Sequence, residues 1–235
     1  MKLLAVDTAL GACSVALLDG DKILAHIFEA MDRGHAERLA PMVEEAMHGV
    51  EFLSLQRLAV TTGPGTFTGQ RVGLAFMRGL RLALHIPLTG VTTLETIAAA
   101  VLQETGKTRA AVIHDARREE AYLLLQEGGT ITQPPAVMPF QDAIARILAF
   151  GPCALAGTGA ATVAANLGPE FALSSIRQPD ALWVARLAQK LPPSNDAPGP
   201  LYLRAPDAKL PGGRPNQAVG SVPAMAARPE RESLA

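Results

Sequence analysis

The stretch of the chain best suited to chemistry is G-P-G-T-F-T-G-Q-R-V-G at residues 63–73. A strand that enters a glycine-rich turn and continues into a helix directs backbone amides to one point, which is a general anion-binding arrangement. A Walker A motif also needs a second glycine followed by lysine and then serine or threonine at fixed spacing. Counting from Gly63 or Gly65 gives Thr68 or Gln70 in place of that glycine, and the stretch has no lysine. The sequence therefore excludes a P-loop NTPase.

Two functions for these glycines remain open. The turn that contains Gly63 and Gly65 is suited to binding a phosphate through its amides. Alternatively, Gly69 and Gly73 leave one side of the following helix smooth, so that another backbone approaches closely. The pair Asp7-Thr8 at the end of the first predicted strand is likewise suited either to a phosphate or metal-bound water, or simply to a turn.

The histidines do not predict a metal site. His35 lies near the start of the first predicted helix, where a helical metal site requires a second ligand four residues later. Leu39 occupies that position, and no Ser/His/Asp or Cys/His set is evident elsewhere. A basic stripe of Arg71, Arg78 and Arg81 on the second predicted helix is interpreted either as a solvated face or as a contact for an acidic partner or RNA phosphates.

Composition limits the class of protein. The 235 residues carry a formal charge of −1, so no global field attracts the chain to nucleic acid or an anionic membrane. Hydrophobic residues make up 49% and the mean hydropathy is +0.19, which predicts a full core and surplus apolar surface for a subunit interface. No apolar run reaches the length of a membrane span, and two distant cysteines predict no disulfide framework. We expect a cytoplasmic protein.

The predicted elements repeat. The first half is predicted to have the order β-β-β-α-β-α-β-α, which indicates a mixed sheet with helices on its faces. Its first three strands are predicted to form an antiparallel meander, because tight connections join them. Apolar residues recur at helical spacing between Gly34 and Val50, and the second helix is predicted over Gln70–His85. At an offset of 108 residues Asp7 matches Asp115 and Gly20 matches Gly128, and a strand before a glycine turn recurs at 154–160. We therefore predict an α/β protein of two related lobes. The predicted divisions are residues 1–106 for the N-terminal lobe, 107–212 for the C-terminal lobe and 213–235 for a flexible tail.

Six motifs together carry a family resemblance. They are D-T-A (7–9), R-G-H-A-E-R-L-A-P (33–41), the glycine stretch, G-V-T-T-L-E (90–95), D-A-R-R-E-E-A-Y (115–122) and L-Y-L-R (201–204). In this order they resemble the TsaB (YeaZ) family of tRNA threonylcarbamoyladenosine biosynthesis proteins, over about residues 1–205. Members are non-catalytic paralogues of TsaD.

The resemblance implies a fold and a set of partners. The fold is the two-lobed actin/Hsp70/sugar-kinase type with a duplicated mixed sheet. The implied function is a scaffold that activates a TsaD-like catalytic subunit, which forms N6-threonylcarbamoyladenosine at position 37 of tRNAs reading ANN codons. A TsaE-like ATPase joins the complex, tRNA is bound through the complex, and the chain forms a homodimer when alone. No cofactor is required, although weak ATP or ADP binding at or near the subunit interface stays open.

The resemblance also assigns residues. Because the paralogue's H-x-x-x-H motif reads His35-Ala36-Glu37-Arg38-Leu39 here, no metal is expected. The alternative function is an active enzyme, either an ATP-dependent phosphotransferase of the superfamily or a metallopeptidase-like protein. The implied vestigial nucleotide-binding residues are Asp7, Thr8, Gly63, Gly65, Gly157 and Gly159. The implied partner interface comprises His35, Glu37, Arg38, Leu39, Met42, Val43, Ala46, Gly69, Arg71, Val72, Gly73, Phe76 and Leu80.

Overall fold

The first half of the chain builds a five-stranded mixed sheet. Its strands are β1 (Lys2–Asp7), β2 (Ala12–Asp19), β3 (Lys22–Ala30), β4 (Arg57–Thr61) and β5 (Leu88–Val91). The spatial order is β3-β2-β1-β4-β5. The first three strands form the predicted antiparallel meander, whereas β4 and β5 run parallel to β1. Strands β1 and β2 are buried along nearly their whole length, which explains their continuous apolar sequences.

Two helices of this half cover one face of the sheet. They are α1 (His35–Ala46) and α2 (Phe67–Leu84), and α3 (Thr93–Thr105) follows β5. Helix α2 starts three residues earlier than the predicted Gln70, because the Thr66 hydroxyl caps its N-terminus by accepting from Gly69 N. The glycine stretch is therefore partly turn and partly helix.

The second half repeats this arrangement. Strands β6 (Arg109–Arg117), β7 (Glu120–Glu127), β8 (Thr130–Pro139), β9 (Ala154–Ala156) and β10 (Ala172–Leu173) form a sheet of order β10-β9-β6-β7-β8. Helices α4 (Phe140–Phe150) and α5 (Ala160–Ala164) pack on one of its faces, and α6 (Ala181–Lys190) ends the regular structure of the described residues. The order and the strand directions match those of the first sheet. The structure thus confirms the predicted α/β fold with a duplicated mixed sheet.

The remaining face of each sheet is covered by a helix from the other half. Helix α3 packs on the second sheet, whereas α6 packs on the first. The helical residues in these contacts are Leu94, Ile97, Ala98 and Val101 on α3, and Ala181, Val184, Ala185 and Ala188 on α6. Neither half therefore buries both faces of its own sheet without the other half.

A buried arginine strengthens this exchange. Arg57 at the start of β4 is 6% exposed, and its Nη1 donates to the carbonyl oxygens of Ala188 at 2.6 Å and Leu191 at 2.9 Å. These carbonyls belong to the C-terminal end of α6, where helical carbonyls lack intrahelical partners. Arg57 therefore caps a helix of one half from a strand of the other.

The computed structural model describes residues 1–194 and 196–204, and residues 1–203 form one compact unit. The predicted tail at 213–235 lies outside the described residues, and the predicted boundary after residue 106 stays a prediction. No described helix combines the length and apolar character needed to span a bilayer.

Replacing Arg57 with methionine tests the cap. The variant keeps the apolar stem but removes the two hydrogen bonds that Nη1 donates to the carbonyl oxygens of Ala188 and Leu191, so we expect a loss of about 1–3 kcal/mol in the free energy of unfolding. Urea denaturation followed by circular dichroism measures it. The matched control is Arg146→Met on the exposed face of α4, which we expect to stay within about 0.5 kcal/mol. Equal stability of the two variants would contradict the cap.

Candidate functional site

The strand ends of the first sheet bring together the residues that the sequence suggested for chemistry. Asp7 ends β1 and Thr8 follows it, Gly63 and Gly65 follow β4, and the first turn of α2 lies beside them. In parallel α/β sheets ligands bind at this edge. The contacts among these residues show whether the edge is open or filled.

The Thr8 side chain is inserted into the first turns of α2. Its hydroxyl donates to Gly69 O at 2.7 Å and accepts from Gly73 N at 3.0 Å, which are groups four residues apart in the helix. A Cβ on Gly69 would overlap Thr8 O, and one on Gly73 would lie 2.8 Å from Thr8 Oγ1. Both glycines are buried by the chain's own β1–β2 turn. The backbone that these glycines allow to approach closely is therefore the chain's own, at Thr8.

The turn before α2 is filled in the same way. Thr66 N donates to Ala9 O at 2.9 Å, and a Cβ on Gly65 would overlap that carbonyl oxygen. Gly63 has a φ of 107°, and the Gln70 side chain packs against it. The glycines permit close contact between two turns of the same chain, so a phosphate at these positions would have to displace the β1–β2 turn.

Asp7 places a carboxyl group at this edge. It is fully buried, and its Oδ1 accepts from Thr61 Oγ1 at 2.5 Å and from Ala9 N at 3.2 Å. Its Oδ2 has no hydrogen-bond partner among the described residues. Burial raises the pKa of the carboxyl to about 7, although the two hydrogen bonds oppose that rise. Asp7 is therefore a buried carboxyl group that binds a proton more readily than an exposed aspartate does.

The second sheet has an equivalent glycine turn at Gly157-Thr158-Gly159. A Cβ on Gly157 would overlap Ile113 O, and one on Gly159 would lie 3.0 Å from the Phe140 ring. The Thr158 hydroxyl accepts from Asp115 N at 3.0 Å and contacts His114 Nδ1 at 3.1 Å. These glycines also serve packing inside the chain. All six suggested nucleotide-binding residues therefore make internal contacts, and nucleotide binding by them stays a prediction.

His35 is engaged with the backbone rather than with a metal. Its Nε2 lies 2.9 Å from Leu10 O, so this nitrogen carries a hydrogen and donates. The nearby Arg38 makes a bidentate contact with Glu29 and a longer one with Glu45 at 3.4 Å. Among residues 1–194 and 196–204, no three His, Cys, Asp or Glu side chains form a group able to hold a metal ion.

The suggested interface residues separate into two sets. Six of them are buried in the chain's own core and cannot contact a partner, because the apolar face that the sequence pattern revealed packs on the first sheet. That part of the prediction is wrong for Leu39, Met42, Val43, Ala46, Gly69 and Gly73. The others reach the surface at least in part: His35, Glu37, Arg38, Arg71, Val72, Phe76 and Leu80.

Helix α2 also presents an apolar surface that was not predicted from the sequence. Ala75, Gly79 and Ala83 are exposed at intervals of four residues, and no atom lies within 4 Å of a Cβ placed on Gly79. The half-buried Val72, Phe76 and Leu80 line one side of this stripe. We call these six residues together the α2 face. The repeat A-x-x-x-G-x-x-x-A could have predicted this surface, because its spacing puts small residues on one side of a helix.

A segment near the C-terminus lies along α2. Arg78 donates to Pro198 O through Nε at 3.1 Å and Nη2 at 2.6 Å, and Leu201 N donates to Thr62 O at 2.7 Å. The Arg71 guanidinium lies 3.3 Å from the centre of the Phe67 ring, which stacks with Tyr202 at 6.1 Å. Arg71 and Arg78 of the predicted basic stripe therefore have contacts inside the chain.

Comparisons with known proteins agree on one family. A family model described as TsaD, tRNA N6-adenosine threonylcarbamoyltransferase, matches residues 22–179. The tRNA threonylcarbamoyladenosine biosynthesis protein TsaB of Escherichia coli is 41% identical over 124 residues, which are 52% of this chain and 53% of that protein. The chain spans about half the length of the curated TsaB relatives it matches.

Longer matches exist as well. An uncharacterized protein of Mycobacterium tuberculosis is 35% identical over 211 residues, which are 88% of this chain and 93% of that protein. The solved structure of YeaZ from Pseudomonas aeruginosa has a TM-score of 0.71 at 33% identity, covering 80% of this chain and 90% of that one.

Substituting Asp7 with asparagine tests the buried carboxyl. Because its pKa is higher in the folded chain than its usual 3.8, its contribution to stability is full below about pH 4 and is lost as pH rises to about 7. The total amounts to at most about 4 kcal/mol, at about 1.4 kcal/mol per pKa unit. We expect Asp7→Asn to gain stability relative to the native chain between pH 5 and pH 8, measured by urea denaturation. A constant difference across this range would contradict the shifted pKa.

Two helical glycines provide a matched pair for the packing argument. Gly69→Ala pushes a Cβ against Thr8 O, so we expect a loss of about 1–3 kcal/mol in the free energy of unfolding. Gly79→Ala adds a methyl group in open space and removes a poor helix former, so we expect a gain of up to about 1 kcal/mol. Thermal and urea denaturation measure both, and effects of the same sign would refute the assignment.

Proposed function

The chain belongs to the TsaB (YeaZ) family and is also matched by the related TsaD model, and we propose that it is a non-catalytic subunit in the formation of N6-threonylcarbamoyladenosine in tRNA. Its task is to bind and activate a TsaD-like catalytic subunit that modifies position 37 of ANN-decoding tRNAs. A TsaE-like ATPase completes the complex, tRNA binds through the complex, and the chain forms a homodimer when alone.

The α2 face carries this proposal. An exposed stripe of small residues allows the backbone of another helix to approach closely, and the half-buried Val72, Phe76 and Leu80 gain burial when it does. Such a surface is costly to leave in water and is typical of subunit contacts. Ala75, Gly79 and Ala83 are exposed, whereas Val72, Phe76 and Leu80 pack against the chain's own core and are still partly exposed.

The charges on helix α2 indicate what kind of partner would fit this surface. Helix α2 carries Arg71, Arg78 and Arg81 and no acidic residue, so we propose a partner helix with acidic residues at its edges. The neighbouring α1 exposes Glu37, Glu44 and Glu45. A pair of related subunits that each place α1 opposite the other's α2 would match these charges. This supports a paralogue, or a second copy, as the occupant.

The internal contacts of the nucleotide-motif residues support a non-catalytic role. Thr8 is bonded to the backbone of α2, and the glycine turns are packed against neighbouring carbonyl groups. A phosphotransferase needs these groups directed at its nucleotide. The proposal therefore expects no ATP turnover by the isolated chain, which a phosphate-release assay with ATP and Mg²⁺ checks. Turnover would favour the enzyme instead.

A substitution on the α2 face tests the proposal. Ala75→Arg puts a long charged side chain where the partner helix would lie, while the residue stays exposed in the free chain. We expect affinity for the TsaD-like subunit of the same cell to fall at least about tenfold, with loss of tRNA modification by the mixture. Light scattering and calorimetry measure binding, and nucleoside analysis of the tRNA measures modification.

The matched control is Ala145→Arg, an exposed alanine on α4. It should leave both binding and modification unchanged, and circular dichroism should show both variants folded. Intact heterodimer with Ala75→Arg would reject the α2 face, and full modification without this chain would reject the activating role.

A further inference from the structure

A cavity of about 350 Å³ lies between β3, α3, the loop after β10 and the start of α6. Its apolar wall includes Phe28, Ile176 and Trp183, and its polar wall includes Arg177, Gln178 and Asp180. The volume falls in the range of small-molecule sites, which combine mostly apolar walls with a few placed polar groups. No residue of this cavity belongs to the α2 face.

The polar wall is an irregular loop held rigid by hydrogen bonds to its surroundings. Ser175 donates to Glu104 of α3 at 3.2 Å, and Ile176 O accepts from Gly157 N at 2.9 Å. Gln178 Oε1 accepts from Gly11 N at 3.0 Å, in the β1–β2 turn. A loop fixed at so many points loses little further entropy when it binds a ligand.

The two charged groups on this wall are only partly used. Arg177 donates through Nη1 to Ser174 O at 2.8 Å, whereas its Nε and Nη2 make no hydrogen bond to described residues. Asp180 accepts through Oδ1 from Leu182 N and pairs with His26, each at 2.8 Å. Its Oδ2 makes no hydrogen bond to described residues. One cation donor and one anion acceptor therefore remain on the same wall.

The aromatic groups add a second signal. Phe28 is 42% exposed at the cavity, although only 4% of the chain is aromatic. Trp183, the only tryptophan of the sequence, lines the same space. Aromatic side chains left partly exposed in a concave site provide apolar contact at low entropic cost.

Because two charged and two aromatic side chains line this one cavity, we propose that it binds a free α-amino acid with an uncharged side chain. Its carboxylate pairs with Arg177, its ammonium group pairs with Asp180, and its side chain contacts Phe28 and Trp183. A nucleotide fits less well, because Asp180 would repel its phosphates.

Arg177 and Asp180 line the same cavity and are three residues apart in the chain. A free amino acid carries its ammonium and carboxylate groups on the same carbon atom, so its two charges match the two side chains on this wall in sign.

The single tryptophan provides the test. Titration of the full chain with L-leucine and L-phenylalanine should change Trp183 fluorescence saturably, and calorimetry should give the same dissociation constant. N-acetyl-L-leucine lacks the ammonium group and L-leucinamide lacks the carboxylate, so each should bind at least about tenfold more weakly. Equal binding of these analogues would overturn the assignment, as would no saturation by any amino acid up to about 10 mM.

Two substitutions complete the test. Arg177→Gln and Asp180→Asn each remove one charge, and asparagine keeps the N-terminal cap of α6. Both should weaken binding at least about tenfold, whereas the control Arg146→Gln on α4 should not. Native affinity in both variants, or saturable binding of AMP without binding of amino acids, would overturn the proposal. A failure here leaves partner binding by the α2 face unaffected, because the two surfaces share no residue.

Discussion

The exchange of helices between the two halves is the constraint on which the rest of the structure depends. Each sheet buries one face under its own helices and the other under a helix from the opposite half, α3 or α6. The alanines of α6 permit a close approach to β1 and β2, and Arg57 holds its last turn. Because burial of apolar surface is the main stabilising contribution to a fold, each half depends on the other for a complete core.

Close packing between elements also explains the glycine stretch. With the sheets held in place, the β1–β2 turn lies directly against the first turns of α2, and the Thr8 hydroxyl joins the helical backbone. Only glycine leaves room for that contact at positions 69 and 73. A motif that suggested phosphate chemistry is therefore used for packing, and the two surfaces that we propose for function, the α2 face and the cavity beside Trp183, lie elsewhere.

Several features were predictable because they depend on local order. Strand runs, the meander, the internal duplication and the helical period of α1 follow from the spacing of apolar residues. The family resemblance follows from six short motifs, and the comparisons confirm it. The start of α2 was placed three residues late, because the cap is a single hydrogen bond from Thr66 that apolar periodicity does not show.

The fold class, the duplication, the family and the glycine turn at the end of a strand could all be predicted from the sequence. The direction in which each glycine and each apolar helix face points follows from the packing of the folded chain. Met42 and Gly73 read equally well as core or as interface, since periodicity shows that a face is apolar but not what covers it. The sheet covers those residues, leaving Ala75, Gly79 and Ala83 outward. The cavity is likewise invisible in sequence, because its walls come from β3, α3 and α6, which meet only in the folded chain.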